Sequence, residues 1–306
     1  MADPEHPIYV DTKDRSKFFQ TIQAWPLDED LNYDGWLKNF TAGDDRNIAC
    51  NILDFFNYYS VRMVNHMLKA SVAKAGYFFK NHFTDWQHSD FNDRCVYSYI
   101  PGESPNPTDS GNLFARKLRD EVGIPQGRIV EYSRLSEALN ILAAPTPIVF
   151  VDDFIGTGQQ VRKAWRVNSF DKGLTLEQIC NSGGHCAVYA PLIVNTMGYD
   201  VIKKECIGLN LSTIHVLGPE YSLFDPKCIC WKNDIDLFNK GVELILRKSK
   251  EIGIPSTNGA DVTDEKGYLK QGLAISFEHG APDAIIPLFY WNSDDWTPLI
   301  RKQYDR

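Results

Sequence analysis

Residues Ile148–Gln160 read IVFVDDFIGTGQQ: four apolar residues, two adjacent carboxylates, then a glycine–threonine–glycine turn. Both halves are locally unfavourable. Asp is depleted in strands, and Gly156 and Gly158 lose more freedom on ordering than other residues. The apolar run Ile148–Val151 predicts a buried strand, with Asp152 and Asp153 at its carboxyl end. In a parallel α/β sheet, ligands bind beyond that end. Two carboxylates there accept hydrogen bonds from vicinal hydroxyls such as those of a ribose. Gly156, Thr157 and Gly158 then form a turn at the amino end of a helix expected over 160–167. Backbone N–H groups gather there, and small residues let an anion approach. Hydroxyls at one end and a phosphate at the other describe a ribose 5-phosphate.

Strand and helix patterns alternate on both sides. RCVYSYI (94–100) predicts a strand running into the Pro101–Gly102 loop, and DSGNLFARKLRDEVGIP a helix capped by Asp109 or Ser110 and stopped by Gly123 and Pro125. RIVEY (128–132) predicts a second strand, LSEALNIL a short helix and PIVFVDD the third strand. HCAVYAPLIV (185–194) and STIHVLG (212–218) supply a fourth and a fifth. This repeat gives the fold class: α/β, a parallel sheet flanked by helices.

The amino-terminal third differs. Residues 1–30 read as an irregular, partly extended lead-in broken by Pro4, Pro7 and Pro26. Residues 45–83 carry apolar side chains at three- and four-residue intervals, as in two or three packed helices. The expected domains are a helical subdomain over 1–90 and an α/β domain over 91–306. A helix at DIDLFNKGVELILRKSKEIG and an aromatic-rich tail close the chain.

With 306 residues, 43% hydrophobic and 12% aromatic, the chain belongs to the folded globular class. A net charge of −8 argues against non-specific binding to DNA or an anionic membrane, while leaving room for a local basic patch. The seven cysteines are odd in number and lack any CxxC spacing, which fits a reducing compartment. The charged start has no apolar signal core and no run is long enough to cross a bilayer, so a cytoplasmic protein is expected.

IVFVDDFIGTGQQ resembles the phosphoribosyl-pyrophosphate signature of type I phosphoribosyltransferases. The resemblance implies a phosphoribosyltransferase-like fold with a carboxyl-terminal hood, and catalytic roles for Asp152 and Asp153. It places Asp152, Asp153, Ile155, Gly156, Thr157, Gly158, Gln159 and Gln160 around the ribose 5-phosphate. The family's pyrophosphate loop follows the first core strand; here YIPGESPNPTDSG supplies Pro101, Gly102, Glu103 and Ser104. Mg²⁺ is the implied cofactor, with no protein ligand assigned to it, and Arg134 is placed to reach the pyrophosphate. Purine-using members often carry an acid where this chain has Gly156.

The segment GYLKQGLAISFEHGAPDAIIPLFYW (267–291) is similar to the ending of phosphoribosyltransferase-like proteins encoded beside bacterial anti-phage systems such as retrons. Together the similarities span roughly residues 94–291. They imply transfer of a phosphoribosyl group to an unidentified acceptor, in an anti-phage effector. The alternative is a catalytically degenerate ribose-phosphate-binding module that regulates a partner. The partners implied are phosphoribosyl pyrophosphate or a related nucleotide and a protein bound through the helical amino-terminal region. A reverse transcriptase–nucleic-acid complex enters on resemblance alone. A homo-oligomer is compatible with the sequence.

Other residues have ordinary explanations. A haloacid-dehalogenase-type phosphatase needs its second acid two residues after the first, not adjacent. Cys180, His185, Cys186, Cys228 and Cys230 match no common zinc module and read as buried small groups. His279 and Asp283 read as loop residues. Tyr290, Trp291 and Trp296 serve equally as a base-stacking surface or as an apolar cap on the last strand.

Overall fold

The structure is a computed structural model, and it describes residues 7–27, 29–41, 43–102, 110–142, 145–167 and 170–301. In chain order the elements begin with helices α1 (Pro7–Thr21), α2 (Tyr33–Lys38) and α3 (Gly43–Phe55), strand β1 (Asn57–Tyr59) and helix α4 (Val61–His82). Helix α5 (Asp90–Asp93), strand β2 (Val96–Tyr99), helices α6 (Ser110–Lys117) and α7 (Leu135–Leu142), and strand β3 (Pro147–Ile155) follow. Next come α8 (Gln159–Arg162), α9 (Leu176–Ser182), β4 (Cys186–Asn195), α10 (Thr196–Glu205), β5 (Leu209–Leu211) and β6 (His215–Leu217). The last are α11 (Ile235–Glu251) and β7 (Ile275–Phe277).

Two compact units result: Arg62–Leu217, and Met1–Val61 together with Gly218–Arg306. The division does not fall at residue 90. Almost all of α4 clusters with the sheet, and the two chain ends form the other unit.

The sheet unit holds parallel strands in the order β2-β3-β4-β5, with β6 also pairing β4. β5 lies against Ala187–Tyr189 and β6 against Ile193–Asn195, so the two act as one edge strand interrupted at 212–214. β3 and β4 are buried almost throughout, as strands covered on both faces must be. One face packs Ile148, Phe150, Ala187 and Tyr189 against Val161, Trp165 and Leu176. A parallel sheet flanked by helices therefore stands as expected.

Local differences have physical causes. The lead-in is helical from Pro7, because proline is well suited to the first helical position, where no N–H is needed. RIVEY forms two tight turns; its one strand-like pairing is a bridge from Ile129 to Tyr97, and Val130 and Tyr132 pack on the sheet core. α9 and α10 are short helices that the sequence reading does not mark. α9 starts on a capping box between Thr175 and Gln178, and α10 on Asn195, whose side chain accepts from the Met197 N–H. α6 continues into a wider turn at Leu118–Val122 and stops at Gly123, whose φ of 87° is the left-handed conformation that favours glycine. Asp109, the other proposed cap, lies outside the described residues.

In the other unit β1 and β7 pair in parallel, Asn57 with Ile275 and Tyr59 with Phe277. Its core is aromatic. Trp36 packs on Phe40 and Phe289, and the Phe40 ring meets Trp296 edge-on at 5.5 Å. The indoles of Trp36 and Trp296 both donate to the Leu288 carbonyl, at 3.1 and 3.2 Å.

Candidate functional site

β3 does not end at Val151. It runs on through both acids to Ile155, still paired with β4 as Asp152 to Pro191 and Ile155 to Val194. Asp152 is consequently buried, with 8% of its surface exposed, while Asp153 is partly exposed. The Asp152 Oδ2 accepts from the Tyr189 hydroxyl at 2.6 Å. Its Oδ1 accepts from the Asp153 N–H at 3.0 Å and from Ser110 Oγ at 3.5 Å. Burial pushes the Asp152 carboxyl well above the ordinary carboxylate range, and the Asp153 charge pushes it further; the Tyr189 bond pulls the other way. Tyr189 is raised too, first by burial and then by the Asp152 charge. Asp153 Oδ1 accepts from the Phe154 N–H at 2.8 Å.

The turn beyond β3 is set by two glycines in contact. Gly158 has φ 73° and opens α8. A Cβ on Gly158 would lie 3.0 Å from the Gly198 carbonyl oxygen, and one on Gly198 would lie 2.8 Å from the Gly156 carbonyl oxygen. The start of α10 thus presses directly on the backbone of the turn, leaving no room for side chains on that side. Thr157 Oγ1 accepts from the Gln159 N–H at 3.3 Å and holds the turn's shape. α8 has only four residues before the helix widens at Lys163–Val167, so the turn's own N–H groups matter more than a helix dipole.

Gln160 Nε2 donates to the Pro101 carbonyl at 2.7 Å. The loop after β2 and the turn after β3 are thereby tied together. Pro101 and Gly102 are described; Glu103 and Ser104 lie outside the described residues. Gln159 accepts from Arg162 Nε at 2.9 Å, and Ile155 is buried in the core beneath the turn. Arg134 is exposed and pairs with Glu137, 3.6 Å away.

The sequence pattern pointed to the acids and the turn, but not to Tyr189, Ser110 or Gly198. Tyr189 sits inside an apolar strand 37 residues from Asp152. Gly198 lies at the start of a helix that the spacing did not reveal. Only the strand register brings them together.

Of the other candidate groups, the cysteines, Tyr290 and Trp296 are buried, His185, His279 and Trp291 are partly buried, and Asp283 is exposed. All seven cysteines are buried and unpaired with one another. Burial raises the thiols of Cys50, Cys186, Cys206 and Cys228 to about 11 and that of Cys180 to about 12. His185 Nδ1 accepts from the Thr146 N–H at 3.0 Å. Trp291 donates to the Ile252 carbonyl, and the His279 ring stacks on Phe277. Among the described residues no group of three His, Cys, Asp or Glu is placed to hold a metal ion, and no helix is long and apolar enough to cross a membrane.

Residues 33–302 match the family model described as PRTase-CE. The match reaches well into the amino-terminal helices, beyond residues 94–291, where the sequence resemblance lies. No curated protein and no solved structure matches the chain.

Proposed function

We infer the function from one premise: the chain belongs to the PRTase-CE family, a phosphoribosyltransferase-like family. We propose that it binds phosphoribosyl pyrophosphate with Mg²⁺ at the carboxyl end of β3 and transfers the phosphoribosyl group to an acceptor. The observation that carries this reading is the Asp152–Asp153 pair leading into the Gly156–Gly158 turn, which Gln160 ties to the Pro101 loop.

In this reading the N–H groups of the turn take the 5-phosphate, and the Gly158–Gly198 contact keeps their geometry fixed. Asp153, partly exposed, accepts from a ribose hydroxyl. Asp152, held by Tyr189 and Ser110, fixes the end of the strand from behind and takes the second hydroxyl. Pyrophosphate departs from C1 with the bonding electron pair, and the acceptor adds at C1. Pro101 and Gly102 begin the loop on the pyrophosphate side.

The donor set fits a Mg²⁺ carried by its ligand. Asp152 and Asp153 are hard oxygen donors, and Mg²⁺ commonly binds through one or two carboxylates plus substrate phosphates and water. Such an ion would neutralise charge on the departing pyrophosphate. An effector role in anti-phage defence extends the reading on sequence resemblance.

Calorimetric titration with phosphoribosyl pyrophosphate and Mg²⁺ tests it. Binding by the wild type that Asp152→Asn/Asp153→Asn loses is expected. A wild type that takes up no ligand would remove the assignment. Binding without release of pyrophosphate, across free bases and nucleotides, would instead support a regulatory module.

A further inference from the structure

Although the chain carries a net charge of −8, the 22-residue helix α4 contains Arg62, Lys69, Lys74 and Lys80 and no Asp or Glu. Burial divides it cleanly. Val64, Met67, Leu68, Val72, Ala75 and Phe79 face inward. Lys69, Ala73, Tyr77 and Lys80 recur at helical spacing on the exposed side, with Lys74 beside them.

An ordinary solvated helix face in an acidic protein mixes both signs, with neighbours three and four residues apart offsetting each other. Here, among the described residues, no carboxylate pairs with the lysines. Among the described residues, neither Lys69 nor Lys80 has a hydrogen bond or ion pair. Lys74 donates only to the neutral Thr213 carbonyl, at 2.9 Å, which leaves its charge uncompensated. Acid meets the helix at its start, where Glu278 accepts from the Val61 N–H, so the uncompensated stretch runs from Lys69 to Lys80. Between the lysines stands Tyr77, 67% exposed. Its ring centroid lies 5.5 Å from that of Phe78, with the two ring planes nearly perpendicular.

We propose that this face of α4 binds single-stranded nucleic acid, with Lys69, Lys74 and Lys80 on phosphates and Tyr77 stacked on a base. A row of cations interleaved with an exposed ring is the arrangement that tracks a single strand without reading its sequence. At a 1.5 Å rise the stretch is about 16 Å long, which an extended single strand crosses in a few nucleotides. A duplex would use the lysines and ignore the ring; an acidic polypeptide would do the same. The inference is independent of the ligand at the end of β3.

The test is fluorescence anisotropy with a labelled oligothymidylate, which contains no phosphoribosyl pyrophosphate. The full chain binds at low salt. With three phosphate contacts, affinity falls about twentyfold between roughly 50 and roughly 200 mM salt. Lys69→Glu/Lys80→Glu abolishes binding, and Tyr77→Ala weakens it by about fivefold or more while leaving the salt slope unchanged. These substitutions lie on the exposed face, and an unchanged circular dichroism spectrum verifies the fold. No binding at low salt, equal binding by the charge-reversed variant, or indifference to Tyr77→Ala would overturn the proposal. So would equal or tighter binding of a duplex or of polyglutamate.

Discussion

Two regions offered themselves as ligand contacts, and the fold treats them oppositely. The turn after β3 has few side chains, yet its backbone is held in one shape by Gly198. The carboxyl-terminal aromatics have abundant surface for stacking. Even so, Tyr290 and Trp296 are almost fully buried, and the indole N–H groups of Trp291 and Trp296 are bonded to carbonyls. Residue type therefore misleads in the second region, because an aromatic ring stacks as readily on a neighbouring ring as on a base. The first region is informative because two adjacent acids in a strand are costly for folding and gain nothing from apolar packing.

The comparison breaks first if the aromatics are not core. Trp36→Ala should cost about 3–5 kcal/mol in urea denaturation, the usual loss for a buried tryptophan. A small loss would mean that the aromatic cluster is a surface. Next, Gly198→Ala should cost about 1–3 kcal/mol, because its Cβ would press on Ile155 and on the Gly156 carbonyl. The same variant should weaken ligand binding, which Trp36→Ala, provided it folds, should not.

Tyr189→Phe should cost about 1–3 kcal/mol, since it leaves the buried Asp152 without its closest partner. The smallest effect is expected at Gln160→Ala, about 0.5–1.5 kcal/mol, expressed as looser ligand binding with a nearly unchanged melting temperature.

Asp152 also sharpens the comparison through pH. Its folded value is raised, so its contribution to stability is fully present below the unfolded carboxylate value, about 3.9. That contribution is lost as pH rises through the folded value. Asp152→Asn should flatten this fall in denaturation curves measured from acid upward. An unaltered slope would show that the acid is not the buried, raised group.

Much of the sheet unit was legible because its strands are local apolar runs punctuated by Gly, Pro and Asp. Ile148–Val151 and Ala187–Val194 are clear without any partner in view. RIVEY was not, since Val130 and Tyr132 give the strand pattern but pack against the sheet core from turns. The β1–β7 pair joins residues more than two hundred positions apart, and nothing local in Asn57–Tyr59 marks the pairing. At the site, Asp152, Asp153 and the turn were legible as one continuous string. Tyr189 and Gly198 were not, because each acquires its role from register and close approach.

The most direct measurement is the amide spectrum of ¹⁵N-labelled protein during titration with ribose 5-phosphate. The expected result is a set of shifts concentrated at Gly156, Thr157, Gly158 and Gln159, with smaller ones at Asp153, and none at Trp291 or Trp296. Saturating ligand that leaves the turn unmoved, or that moves the aromatic segment instead, would contradict the assignment of this pocket.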